Sequence, residues 1–315
     1  MSSADLSAFS IGVVGMDRLG AALLQRLDHQ NIGHACTDMD HRLVQAHLAE
    51  GGAAPLGSPY DLAQMCNLIF MTAPDGETLR EAVMGSVGLI HKLRPGTIIV
   101  DMSEAAPDVG QGLARSLVSR GAIWVEALPV GEHHQAVSGE MTLLCGGPAH
   151  VIEQITPALS IFASRVLRLG DLGAGGAARL LGTALTALST AIHTEMLAFA
   201  WRNGLDPAGI MKALPVLAPG AGAPPAAVET QIATGSYSSG VPLRRMQTDI
   251  ARMLDAARQS HSPMPFLSQF AAMLASASYM PNATGDWLDV MRWLSENAGV
   301  RFKSPSDGGE NASQA

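Results

Sequence analysis

The chain has 315 residues, a formal net charge of −8, 47% hydrophobic and 15% charged residues, and three cysteines. Its length allows two domains and its composition a large buried core, which excludes a disordered chain, while an acidic balance without a Lys/Arg run argues against a nucleic-acid surface. Cys36, Cys66 and Cys145 fit neither a disulfide framework nor a paired zinc-ligand pattern, and neither a membrane span nor a signal peptide is evident, so a soluble, cytoplasmic protein is expected.

In chain order, strand-like runs at Ile11–Val14, Gly33–Thr37, Leu68–Pro74, Gly96–Ser103, Ala122–Val130 and Met141–Gly147 alternate with helical segments. Those segments fall at Leu19–Leu27 and around Arg42–Ala49, Thr78–Met84 and Val109–Ser119. This alternation predicts an α/β fold, a doubly wound parallel sheet with helices on both faces. After Gly175 the character changes. From Gly176 to Asn203 no proline intervenes, and Leu181, Leu185, Leu188, Ile192, Met196 and Phe199 recur at spacings of three and four. A helix of that length spans roughly 40 Å and founds a second, all-α domain.

"GLDP" at Gly204–Pro207 stops that helix by glycine and then proline. Leu217–Ala227 reads as a loop, further helices follow to Gly299, and the polar tail from Lys303 reads as disordered. The expected domains are therefore residues 1–173 and 174–302, with a tail over 303–315. Met246, Met253, Met264, Met273, Met280 and Met291 read as core filling or a pliable dimer contact. Trp287 and Trp293 read as packing for the last helix.

The first functional signal is "IGVVGMDRLG", Ile11 to Gly20. Between a strand and a helix, G-x-G-x-x-G is the phosphate turn of a dinucleotide site. Gly15 and Gly20 hold its first and third places, and Asp17 stands at the second, where the backbone should approach a pyrophosphate. Two readings stay open: Asp17 caps the helix and no dinucleotide binds, or the loop is displaced and Arg18 helps neutralise the phosphates. Asp38 and Asp40, about 20 residues after the glycines, are candidates for the ribose 2′-hydroxyl. Either carboxylate repels a 2′-phosphate, which favours NAD over NADP, although His41 and Arg42 offset that preference.

Five pieces then follow in a recognisable order: "GVVGMDRLG", "APDGETL" at Ala73–Leu79, "VDMSEAAP" at Val100–Pro107, "GEMTLLCGG" at Gly139–Gly147 and "LGDLGAGGAARLLGT" at Leu169–Thr183. In order and spacing the chain, from Ile11 to Ala257, resembles the β-hydroxyacid dehydrogenases. That family includes 3-hydroxyisobutyrate dehydrogenase, tartronate semialdehyde reductase and the NAD(P)-binding part of 6-phosphogluconate dehydrogenase. The resemblance implies an N-terminal Rossmann domain and an all-helical C-terminal domain joined by a long interdomain helix. It also implies a homodimer or homotetramer, an active site between the domains, a small-molecule substrate, and NAD or NADP as cofactor.

Carried over by residue, the resemblance places Gly15, Asp17, Arg18, Leu19 and Gly20 at the phosphate turn. It places Ala73, Pro74, Asp75, Gly76 and Thr78 along the cofactor, and Ser103 and Glu104 beside the nicotinamide. Glu126 takes the aspartate place of the substrate motif, and Val130 or Gly131 the serine place, depending on alignment. Glu132 and His133 follow, and Thr248 and Asp249 occupy a later Lys-Asp pair. At the catalytic lysine stands Arg179, and Gly182 and Thr183 replace two asparagines. A guanidinium keeps the positive charge but does not deprotonate near neutrality, so it cannot shuttle the hydroxyl proton.

The leading reading is an NAD(P)-dependent oxidoreductase acting on a small hydroxyacid, carbonyl or imine, with Arg179 as a fixed cation. Imine reductases, relatives that also lack the lysine, are the precedent. In this reading proton transfer passes to water or to His133, His134 or Glu104. The alternative is a catalytically degenerate member that binds or scaffolds, since Asp17, Glu104, Arg179, Thr183 and Thr248 all depart at functional places. A metal-dependent or hydrolytic use of His133, His134, His193 and Glu195 is weaker, for no H-x-x-x-H or H-E-x-x-H spacing occurs, and no metal is expected.

Overall fold

Seven short runs, most of them rich in Ile, Val and Leu, form one sheet in a computed structural model. The structure describes residues 6–52, 54–131, 133–218 and 234–300, with 225, 228 and 230. Most of the loop expected at Leu217–Ala227, and all of the tail from Lys303, lie outside those residues. The chain divides into two compact units, Met1–Arg179 and Leu180–Ala315.

In the first unit the strands are β1 (Ile11–Val14), β2 (His34–Thr37), β3 (Leu68–Met71), β4 (Ile98–Asp101), β5 (Ile123–Val130), β6 (Met141–Gly146) and β7 (Ala163–Gly170). Their order is β2-β1-β3-β4-β5-β6-β7. Every neighbouring pair is parallel except β5 and β6. The doubly wound parallel sheet is thus as expected, with that one antiparallel pair as its exception. Residues 131–140, which join the two strands, are fewer than the dozen or so a parallel crossover requires.

Helices cover both faces, as the alternation predicts. α1 (Arg18–His29), α2 (His41–Ala49), α3 (Pro59–Met65), α4 (Gly76–Met84), α5 (Pro107–Leu117), α6 (His133–Ser138) and α7 (Ala149–Leu159) follow the chain. Successive strand residues point to opposite faces. Leu68 and Phe70 therefore pack with Leu23 and Leu27 of α1 and Ile155 of α7, whereas Ile69 and Met71 pack with Leu62 of α3, Leu79 of α4 and Leu113 of α5. The sequence reading leaves α3, α6, α7 and β7 unassigned. α7 contains Pro157, and β7 is an edge strand with Ser164, Arg165, Arg168 and Leu169 exposed, so neither shows a clean apolar period.

α8 (Ala174–Arg202) begins in the first unit and continues into the second. There it is joined by α9 (Pro207–Leu217), α10 (Leu243–Gln259), α11 (Pro265–Ala277) and α12 (Asp289–Asn297). The core of the second unit packs the small Ala184, Ala187 and Ala191 of α8 against Met246, Ile250, Phe270, Leu274, Trp287 and Met291. Met253, Met264, Met273 and Trp293 are partly buried against it, which agrees with core filling. Apart from Leu188, which packs against this core, the apolar repeat that predicts α8 is not its buried face. Leu181, Leu185, Ile192, Met196 and Phe199 are between 46% and 64% exposed and form a stripe along the helix. Among the described residues no helix is long and apolar enough to cross a membrane.

Candidate functional site

Where β1 ends, Gly15 adopts φ +111°, and a Cβ there would lie 1.9 Å from the Thr72 carbonyl oxygen. Only glycine fits both the conformation and the contact. Gly20, one turn into α1, would place its Cβ 2.0 Å from the Gly15 oxygen. The first and third glycines thus bring helix and strands together. Asp17 is the N-cap of α1, and its Oδ1 accepts the Gly20 N–H at 2.8 Å. The capping half of the first reading of Asp17 is therefore correct.

Capping does not close the pocket beside it. The chain order reverses between β1 and β3, the switch point at which open α/β sheets bind ligands beyond their strand ends. A cavity of about 700 Å³ lies there, lined by Gly15, Asp17, Asp38, Asp40, Ala73, Pro74 and Thr78 among others. Seven residues expected at the cofactor therefore share one pocket.

Asp38 follows β2 directly. Its Oδ2 accepts the Met16 N–H at 2.6 Å and its Oδ1 the Asp40 N–H at 2.7 Å. Asp40 caps α2 by accepting the Arg42 N–H at 2.9 Å and pairs with the Arg42 guanidinium at 2.7 Å. Asp75 caps α4, accepting the Thr78 N–H at 2.8 Å, a bond that holds its carboxyl below the usual range. At the pocket floor the Thr72 hydroxyl is buried without a hydrogen-bond partner. A glycine cradle, a helix N-terminus and this orphaned hydroxyl fit a dinucleotide, with the Asp17 carboxylate standing against it at the helix N-terminus.

The end of β4 carries a second cluster. Asp101 is buried, and its Oδ1 accepts the Ser103 N–H at 3.0 Å and the Ser103 hydroxyl at 2.5 Å. Burial pushes the Asp101 carboxyl up, and the Ser103 hydrogen bonds and the Arg179 cation pull it part of the way back. Glu104 N–H donates to the Ala73 carbonyl at 2.9 Å, and Arg179 Nη2 donates to the Ala105 carbonyl at 3.2 Å. The Arg179 side chain, from α8, thus reaches the loop that holds Ser103 and Glu104, and that loop is bonded to Ala73.

Sequence reasoning missed what Glu126 does. Its buried carboxylate accepts N–H bonds from Gly173, Gly175 and Gly176 at 3.0, 3.1 and 3.4 Å, which anchors the N-terminus of α8. Its pKa is raised, with burial the largest cause, although the three N–H groups oppose the shift. No local signal links residues 126 and 175. Thr72 was also unmarked, because only strand pairing brings it beside the glycines.

Other expected site residues lie elsewhere. Leu19 is buried in the core and Arg18 is exposed on the first turn of α1. Val130 ends β5 and is 48% exposed, and Gly131 follows at φ +129°. Glu132 falls outside the described residues, and His133 opens α6. Thr183 lies on α8, and Thr248 and Asp249 on α10, all in the second unit. There the Thr248 hydroxyl donates to the Arg244 carbonyl at 2.9 Å and Asp249 pairs with Arg252 at 3.5 Å. His193 Nδ1 is 2.7 Å from the Ser189 carbonyl. Among the described residues no three His, Cys, Asp or Glu side chains are grouped to hold a metal ion. Burial pushes the thiols of Cys36 and Cys66 up to about 11 and that of Cys145 to about 12, so they stay protonated and are poor nucleophiles.

The doubly wound sheet, the glycine turn and the switch-point pocket define a Rossmann-type dinucleotide-binding protein. Residues 10–170 match the family described as the NAD binding domain of 6-phosphogluconate dehydrogenase, and residues 173–294 that described as NAD-binding of NADP-dependent 3-hydroxyisobutyrate dehydrogenase. The chain belongs to this dehydrogenase family. It is 27% identical to L-threonate dehydrogenase of Cupriavidus necator over 271 residues, covering 85% of this chain and 90% of that one. The fold matches 3-hydroxyisobutyrate dehydrogenase of Mycobacterium tuberculosis, solved with L-serine, at a TM-score of 0.76 and 19% identity, over 91% of this chain and 99% of that one. An imine reductase variant from Myxococcus stipitatus, solved with NAD+, matches at 0.60 and 16% identity, over 91% and 99%. The family matches support the oxidoreductase reading and lend nothing to the scaffolding one.

Proposed function

We propose that this chain transfers hydride between a nicotinamide dinucleotide, NAD(H) in preference to NADP(H), and a small hydroxyacid, carbonyl or imine. One observation carries the reading: the loop that holds Ser103 and Glu104 is bonded to the pocket residue Ala73 and also receives Arg179. A cation is thereby set near the end of a dinucleotide pocket. When bound, the cofactor supplies or accepts the hydride. Gly15, Asp17 and Gly20 shape the phosphate end, and Ala73, Pro74, Thr78, Ser103 and Glu104 line the course towards the reacting end.

Arg179 anchors a substrate carboxylate or polarises a carbonyl by a charge that does not titrate near neutrality. Its guanidinium is held by the Ala105 carbonyl and faces the buried Asp101, so its charge is fixed before substrate arrives. The proton passes through water or through Glu104, His133 or His134, as the sequence reading has it. By resemblance alone, Thr183 enters the proposal as a catalytic position beside Arg179, and Val130, Gly131, Glu132, His133, Thr248 and Asp249 enter it as substrate contacts. L-threonate dehydrogenase among the relatives supports an anionic hydroxyacid as substrate.

Turnover of small hydroxyacids, aldehydes and cyclic imines, followed by nicotinamide absorbance, tests the reading. Wild-type activity that Arg179→Ala lowers at least about tenfold supports it. Dinucleotide binding without turnover of any class would replace it with a non-catalytic role.

We also propose a homodimer or homotetramer. The α8 stripe from Leu181 to Phe199 runs about 27 Å along the helix, and Glu195 is the one charged residue within it. Monomers rarely leave a contiguous apolar patch above a few hundred Å² open, and charge-poor patches of this kind are interface cores.

A further inference from the structure

Asp101, the last residue of β4, is the register partner of Glu126 in β5. Paired residues of neighbouring strands present their side chains to the same face, so two buried carboxyls stand side by side in the sheet. Room is made for both. A Cβ at Gly110 would lie 3.0 Å from Asp101 Oδ2, and one at Gly146 2.6 Å from Glu126 Oε2. Burying two acids together is costly, and neither lines the switch-point pocket.

Each reaches Arg179 by its own route. Glu126 accepts the N–H groups of Gly173, Gly175 and Gly176 and so fixes the first turn of α8, one turn before the point where the Arg179 side chain leaves it. That turn also abuts α5, where a Cβ at Gly176 would lie 2.4 Å from Pro107 Cγ. Asp101 works through the loop after β4. Its Oδ1 accepts the Ser103 N–H and hydroxyl, the Ser103 oxygen accepts the Ala105 N–H at 3.4 Å, and the Ala105 carbonyl accepts Arg179 Nη2 at 3.2 Å. These contacts lead from the carboxyl to the guanidinium, and the Arg179 cation also acts on Asp101 directly.

We propose that Asp101 and Glu126 are positioning residues for Arg179: Glu126 sets the helix turn that carries it, and Asp101, through Ser103 and Ala105, sets where its guanidinium rests. Neither acts on substrate itself. A long side chain samples many rotamers, and a cation already held in one of them gives up less freedom when substrate arrives. The inference rests on Arg179 serving the proposed hydride transfer.

The test reads the guanidinium itself, in protein without dinucleotide or substrate. With isotope-labelled arginine, nitrogen NMR exchange spectroscopy gives the rate of rotation about the Arg179 Nε–Cζ bond, the signal being assigned by its absence from Arg179→Lys. In wild type this rotation should be at least about tenfold slower than that of the exposed Arg120. Asp101→Asn, which removes the charge, should speed it at least about fivefold. Ser103→Ala should speed it about threefold, and Ser103→Thr, which keeps the hydroxyl, should leave it within about twofold. Glu126→Ala should speed it and Glu126→Gln far less, since glutamine keeps an acceptor for the glycine N–H groups. Unfolding midpoints confirm that each variant folds, and Ser103→Ala, the mildest change, carries the test should a change at either buried carboxyl stop folding.

A wild-type rotation as fast as that of Arg120, or a slow rotation that Ser103→Ala and Asp101→Asn leave unchanged, overturns the frame and leaves hydride transfer to be judged by turnover. A held Arg179 in a protein that turns over no substrate overturns the hydride-transfer reading, and with it the catalytic use of the frame.

Discussion

Asp38 and Met16, 22 residues apart, are joined by a 2.6 Å hydrogen bond from the Met16 N–H to the Asp38 carboxylate. The same carboxylate accepts the Asp40 N–H at 2.7 Å, so one side chain sets the spacing of two turns that line the pocket. Charge-assisted bonds of this kind contribute roughly 1.5 to 3 kcal/mol. Asp38→Ala should lower unfolding free energy by about 2 kcal/mol in urea titration and weaken dinucleotide binding, with Asp38→Asn recovering part of both. Wild-type stability in Asp38→Ala would show that the turns hold without it.

Glu126 ties β5 to the first turn of α8 through three glycine N–H groups. Removing the acceptor leaves buried donors unsatisfied, which is costly compared with replacing it by another acceptor. Glu126→Ala should lose roughly 2 to 3 kcal/mol in denaturant unfolding, and Glu126→Gln clearly less. Equal losses in the two variants would mean that volume, not hydrogen bonding, is what Glu126 supplies.

Much of the first unit was legible in the sequence because its strands are short apolar runs separated by helical periods. Ile11–Val14, Leu68–Met71 and Met141–Gly146 fall where the runs predict them. Legibility failed where partners are distant or where a pattern is absent. The antiparallel β5–β6 pair depends on the length of the 131–140 connection, and β7 is an edge strand with exposed arginines. In the site, Asp17 was legible as a cap because capping is local. Glu126 was not, since its three partners are 47 to 50 residues away. The apolar repeat of α8 correctly predicts a helix, but all of its large residues except Leu188 face outward while alanines face the core.

Burial raises the Asp101 carboxyl above its ordinary value of 3.8 and that of Glu126 above 4.5. Each folded group therefore keeps its proton at a pH where the unfolded chain has released it. Their contribution to stability is fullest below the ordinary values and is lost as pH rises towards the raised ones. Asp101→Asn removes one of these groups while keeping an acceptor for Ser103. The stability of wild type relative to this variant should fall as pH rises from about 3.8 through the raised value. Parallel profiles in urea unfolding across that range would contradict the raised value.

The α8 stripe predicts assembly. Leu185→Glu or Ile192→Arg should shift sedimentation or light-scattering mass towards the monomer, while Thr186→Glu, beside the stripe on the same helix, should do so far less. A wild-type protein that is monomeric at micromolar concentration, or variants that leave its mass unchanged, would remove the stripe as an interface.

The measurement that most directly tests the account is thermal unfolding with NAD, NADH, NADP and NADPH added separately at millimolar concentration. A ligand present at 100 times its dissociation constant stabilises the folded state by about 2.7 kcal/mol, visible as a raised midpoint. The account predicts a rise with NAD or NADH that exceeds any rise with NADP or NADPH. A cooperative transition that none of the four moves would contradict it, and would leave the glycine turn with Asp17 as a helix cap alone.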